Sequence, residues 1–297
     1  MAPMNKTLAP RKGSIVTTRD PKGRKFIEIV EAAYNKAAMS EDEAQHVNEA
    51  QGLSDLVHKF IAENRLSDRF KDEEVKSSYG YLSGYKPKGI TEQTNILRQL
   101  FHGIGFADEK LAEASLPQHA EGWFAIPKWQ SMAPTYGEAV QKVLDMIKKT
   151  RDGNFVNYRE GQLGLKRLRQ TIKTVEIFEK FGDEQKDYDI LVVPTQFGLR
   201  HRGRSTRRAR EVFLTNEFGL GAFAVGIMLL THPERLKHYD DLWIDCAGDE
   251  FDDPYAAVRF FHATCFEFHG DRVRFGAIWF ADASAHYGSV SAFGPQR

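Results

Sequence analysis

At 297 residues the chain has the length of one large or two ordinary domains, enough to bury a substantial core. Forty-one Lys/Arg balance forty-one Asp/Glu, which excludes a global electrostatic attraction to nucleic acid or membrane and leaves only local charge to reason from. Two cysteines, Cys246 and Cys265, exclude a disulfide framework, and the longest apolar run, Ala222 to Leu230, is far short of the roughly 20 residues a membrane span needs.

Residues 1–25 carry seven Lys/Arg against one acid, with three prolines and little that is apolar, and this predicts a disordered basic arm. The start also lacks the apolar core of a secretory signal, so a cytoplasmic protein without a membrane partner is expected. From Phe26 the pattern turns helical. Ser40 followed by Glu43 has the spacing of a capping box and opens a further helical stretch, so two helices or a helical hairpin are expected. Gly, Pro and Tyr break the periodicity at 77–90, which reads as a linker or ordered loop, and short helices follow at 91–101 and 108–114. Together, 26–117 forms a helical region, and an α/β domain is expected over 118–297.

That domain opens with a short strand at 121–129. Val140, Val143, Leu144 and Ile147 mark one face of a helix, and Leu165, Leu168, Ile172, Val175 and Phe178 one face of the next. A strand at 189–195, a helix at 205–216, a continuously apolar strand at 222–230, a short helix at 233–238 and a strand at 241–246 complete an alternating series. Two apolar segments flanking "HGD" at 269–271 predict a C-terminal antiparallel hairpin. The fold class expected is α/β or α+β, a mixed sheet with helices on its faces and that hairpin at its end. Gly219 and Gly221 stand before the expected strand at 222–230, not after one, and so read as a helix C-cap and tight turn instead of a dinucleotide fingerprint.

Chemistry concentrates at "GLRHRGRSTRRARE", with six arginines and a histidine between Arg200 and Arg210. Ser205 is the expected N-cap of the following helix, which puts Arg207 and Arg208 in its first turn, where the helix dipole disfavours cations. Something negative belongs there. One candidate is internal: the stretch 239–253 holds seven acids, and if its strand ran parallel to 189–195, Asp249, Glu250, Asp252 and Asp253 would emerge beside Arg200 to Arg204. The other is a phosphate-bearing ligand, nucleic acid foremost, bound by Arg200, His201, Arg202, Arg204, Arg207 and Arg208.

Asp245, Asp249 and Glu250 are candidate ligands for Mg²⁺, which would turn the same site into an enzyme acting on a phosphorylated small molecule or nucleotide. His201 and His232 are candidate acid–base groups, and Cys246 a candidate nucleophile. A third class of function is a non-catalytic interaction protein with an internal Arg/acid network. His262, Cys265 and His269 do not form a zinc site, because on a strand position 262 faces away from the other two. "NYREGQ" (157–162) is a polar loop that could border a pocket.

The stretches "FGLRHRGRSTRRAREVF", "NEFGLGAFAVGIMLLTHPERL" and "WIDCAGDEF", with "EGWFAIP" and "NYREGQ", resemble a family of uncharacterised bacterial proteins over most of residues 79–297. That resemblance implies no activity, cofactor or substrate.

Overall fold

The computed structural model describes residues 17–63 and 67–295, and the chain divides into two compact units, one up to Glu63 and one from Asn64. The helices read together at 26–117 therefore fall on both sides of the division. The first 16 residues of the expected arm lie outside the described residues.

The first unit holds α1 (Pro21–Lys36), α2 (Glu41–Glu49) and α3 (Leu53–Glu63). α1 begins five residues before Phe26, so the end of the expected arm is helical. Pro21 sits in its first turn, where a missing N–H costs nothing. Ser40 and Glu43 form the reciprocal capping box at the head of α2.

The second unit is a mixed α/β fold built on two sheets. The first sheet has the order β1 (Gly122–Pro127), β4 (Ile190–Gln196), β10 (Ser291–Phe293), β5 (Glu217–Gly219), with antiparallel neighbours throughout. The second runs β2 (Phe155–Asn157), β9 (Arg272–Trp279), β8 (His262–His269), β7 (Asp249–Phe251), β3 (Leu168–Gln170), with β6 (Ile244–Asp245) also on β8. β8 and β9 are the expected hairpin. Their two-residue turn, Gly270–Asp271, has positive φ at both positions, as a type I′ turn requires.

Two expectations for this region fail. The apolar run at 222–230 is a helix, α8 (Ala222–Thr231), in which every residue is buried. A short run apolar on all sides suits a buried strand and a buried helix equally, and here small residues decide the packing. A Cβ on Gly226 would lie 2.5 Å from Val143 on α5 (Tyr136–Thr150), so the two helices touch at the glycine. The strands at 189–195 and 241–246 are not parallel neighbours either: β4 belongs to the first sheet and β6 to the second.

Other elements fall near their expected places. α5 carries a Thr135–Glu138 capping box and buries Val140, Val143, Leu144 and Ile147. The next helix, α6 (Ile172–Glu184), starts later than expected, because Leu168 lies in β3 and Leu165 is 70% exposed. α4 (Ile90–Leu100) matches 91–101, while 108–114 and 233–238 shrink to 3₁₀ turns at Glu109–Glu113 and Pro233–Arg235.

Of the two readings of 77–90, linker or ordered loop, the second holds: the stretch and the residues just before it form an ordered strap. Val75 N–H donates to Gly203 O, Ser77 Oγ to Ala285 O, Leu82 N–H to Asp241 Oδ1, and Lys88 N–H to His232 Nε2. Among the described residues no helix is long and apolar enough to cross a membrane.

Candidate functional site

The arginine loop lies between β4 and the short helix α7 (Thr206–Glu211), and Ser205 caps α7 as expected by accepting the Arg208 N–H. Most of its charge is taken up inside the fold, and apart from Arg210 by acids outside 239–253. Glu217 on β5, fully buried, receives Arg200 Nε at 3.1 Å and His201 Nε2 at 2.7 Å, and also accepts from Ser291 Oγ and Leu214 N–H. Arg204 and Arg208 pair with Glu74, and Arg207 pairs with Glu73 while stacking 3.9 Å from the Phe70 ring centroid. Arg210 donates to the carbonyls of Ala247 and Asp249, with Glu250 4.0 Å away. Arg202 is exposed, and its guanidinium donates to Tyr79 O at 3.0 Å.

The tautomer of His201 follows from its neighbours. Arg204 Nη1, always a donor, lies 3.1 Å from Nδ1, so Nε2 carries the proton and donates to Glu217. Burial lowers the His201 pKa, which keeps the ring neutral. Burial alone would raise Glu217, but hydrogen bonds from His201, Ser291 and the Leu214 N–H overcome it and hold the carboxyl at about 2.

The expected placing of residues 249–253 beside Arg200 to Arg204 is corrected by the topology; of the arginine stretch only Arg210 reaches them. β7 lies in the second sheet, and its acids meet other bases: Glu250 pairs with Arg169 at 2.8 Å, Asp252 with Arg259 at 3.0 Å and Asp253 with Arg159 at 2.9 Å. Asp249 turns inward, accepting from Tyr136 Oη at 2.7 Å, Ala222 N–H at 2.7 Å and Thr264 Oγ1 at 3.1 Å.

The Mg²⁺ set is not assembled either. Successive strand residues point to opposite faces, which separates Asp249 from Glu250, and no cluster of three or more metal-ligating side chains occurs among the described residues. Asp245 stands apart from both. It is fully buried, neither carboxyl oxygen has a hydrogen-bond partner, and burial lifts its pKa to about 8.

Gly219 and Gly221 also correct their expected setting: Gly219 ends β5 and Gly221 caps α8, giving a strand–turn–helix order. The first N–H groups of α8, where a pyrophosphate would sit in a dinucleotide site, are occupied by Asp249 and, at 3.4 Å, by Tyr136. A Cβ at Gly221 would come within 2.3 Å of both side chains, so this glycine serves close packing.

The candidate catalytic groups do not converge on one reactive site. His232 is buried between Tyr85 and Phe124, with ring centroids at 5.5 and 5.1 Å. Its Nε2 accepts the Lys88 N–H, and burial lowers its pKa to about 4. Cys246 is fully buried in the core, which pushes its thiol pKa up and keeps it protonated, the wrong form for a nucleophile.

Sequence reasoning missed a cavity of about 530 Å³ between α6 and α8. Ile126, Leu191, Phe223, Trp129, Val175 and Phe178 give it an apolar lining. Gln130, Ser131, Gln170, Glu179 and Asp183 supply polar groups, and Gly182 opens space on the α6 side. Lys128 also lines it, with Nζ turned 3.1 Å from Gln185 O. These residues come from six elements; Val175, Phe178, Glu179 and Gly182 recur at helical spacing on α6, but no motif announces the whole set.

Two outcomes are expected. Glu217→Gln leaves Arg200 short of its carboxylate and should cost about 3–5 kcal/mol in denaturant unfolding at neutral pH. Because the folded pKa of Glu217 lies below its unfolded value, that contribution is present above about pH 4.3 and fades as pH falls toward 2. Asp245 has the opposite sign. Its folded pKa is raised, so stability falls as pH climbs from about 4 to about 8, and Asp245→Asn should flatten that slope and raise the melting temperature at pH 8.

No protein family, curated protein or solved structure matches this chain, so the reading of its function rests on its own geometry.

Proposed function

We propose that the second unit binds a small, predominantly apolar molecule in the cavity between α6 and α8. The cavity itself carries this reading. About 530 Å³ lined by Trp129, Phe178, Phe223 and aliphatic side chains has the size and chemistry of a ligand pocket. The side chains of Gln130, Ser131, Gln170, Glu179 and Asp183 can meet a polar end of the same molecule. Binding is favoured over catalysis because none of His201, His232 and Cys246 lines the cavity. A cytoplasmic location is in keeping with Cys246 and Cys265, both free and buried.

Gly182 provides the test. A Cβ there meets nothing within 4 Å, and replacing a helix-interior glycine removes a penalty of about 1 kcal/mol. Gly182→Leu should therefore fold with an equal or higher melting temperature and lose the thermal shift that a probe such as indole gives the native chain. A wild-type chain that ignores small aromatic probes, or a variant that still binds them, would overturn the reading.

A second reading keeps a phosphate-bearing ligand, nucleic acid foremost, at the arginine loop. It is supported by Arg202, which is exposed and pairs with no carboxylate among the described residues, and by its neighbour Tyr79, whose ring lies 4.1 Å from that of His286. A guanidinium beside aromatic rings suits a single strand through its phosphates and bases. Arg202→Gln should then weaken binding of a short single-stranded oligonucleotide and lower its salt slope by about 1, with stability unchanged. Equal affinity in both proteins would remove this reading and leave the cavity untouched.

A further inference from the structure

None of the described residues of the first unit is buried. α1 and α2 contain no buried residue. On α1, Ile27, Val30 and Tyr34 recur at helical spacing and are 42–48% exposed. Val47 on α2 is exposed too, and on α3 Leu53 and Leu56 are 58% and 67% exposed. The rings of Phe26 and Phe60, 6.5 Å apart, join α1 to α3. A run of fewer than fifty described residues without an interior lies below the size at which a chain usually supports its own core, and contiguous exposed apolar stripes mark contact surfaces.

Charge in this unit is sorted by helix. α1 carries Lys22, Arg24, Lys25 and Lys36 against Glu28 and Glu31. α2 carries Glu41, Asp42, Glu43 and Glu49 and has no Lys or Arg. We propose that the unit is a self-association module in which a second copy of this chain covers the apolar stripe, the basic α1 of each copy lying against the acidic α2 of the other. A two-fold dimer satisfies both α1–α2 contacts at once, because its two copies present the same patch to each other. An anionic membrane is the weaker occupant: it would attract α1 but repel the four acids of α2.

Sedimentation velocity of the full chain over a hundredfold concentration range provides the test. The expected result is a monomer–dimer equilibrium that Leu56→Glu shifts toward monomer by at least tenfold in Kd. Two charge variants hold the proposal to its geometry and leave the apolar stripe intact. Arg24→Glu with Lys25→Glu places acid against acid, and Glu41→Lys with Asp42→Lys places base against base, so each variant alone should be monomeric. Mixing them should restore a dimer, because α1 of either variant now complements α2 of the other. Glu43 is spared because it belongs to the capping box. A wild-type chain monomeric throughout the range overturns the proposal, as does a dimer unchanged by either charge variant, or a mixture that stays monomeric. Flotation of a monomeric chain with phosphatidylglycerol vesicles would assign the stripe to a lipid surface instead.

Discussion

One buried carboxylate joins the parts of the α/β unit. Asp249 stands on β7 of the second sheet, yet its oxygens receive the phenol that opens α5, the first N–H of α8 and the Thr264 hydroxyl on β8, while its main-chain carbonyl holds Arg210 of α7. A helix start leaves unsatisfied donors, and α8, apolar on every side and closed off from water, has nowhere else to satisfy its first one. Asp249 therefore sets where α8 begins. That start in turn fixes the contact of Gly226 with α5 and the place of Phe223 in the cavity lining. The glycines of "GLG" follow from the same constraint, since Gly221 has Asp249 and Tyr136 where a side chain would stand.

Local signals were legible in the sequence and long-range ones were not. Ser40 with Glu43 and Ser205 before Thr206 could be read as helix starts because capping acts within three residues. The "HGD" hairpin was equally plain, its register being closed by a two-residue turn. The run at 222–230 failed as a strand because nothing local separates a buried strand from a buried helix; Asp249, 27 residues on from Ala222, decides it. The partners of the arginine loop were hidden for a similar reason. Glu73 and Glu74 lie 130 or more residues before the arginines they meet, in "KDEEV", just ahead of the Gly/Pro/Tyr stretch and marked by no local signal. Charge balance predicted that the arginines would find acids, but composition carries no address.

The arrangement of those pairs changes what the loop is. Glu73 and Glu74 hold the strap that leads toward α4, and Glu217 holds β5, so the arginines fasten two distant parts of the chain to the end of β4. Of these acids only Glu217 is fully buried; buried pairs add little net stability over an apolar equivalent, because desolvation offsets attraction, while removing one partner is costly. In this fold the loop's dense positive charge ties separate chain segments together.

The position of β10 bears on how the chain is made. β4 and β5 are not neighbours; β10 lies between them and supplies the ladder to each. Ser291, whose hydroxyl meets Glu217, is 74 residues away from it in the chain. While those residues are being synthesised, β4 has one open edge and β5 has no strand partner in its sheet, so both expose unpaired backbone groups. Domains with such distant pairings fold slowly, because loop closure precedes any reward. A chain that ends before β10 is thus an unfinished sheet with two adhesive margins.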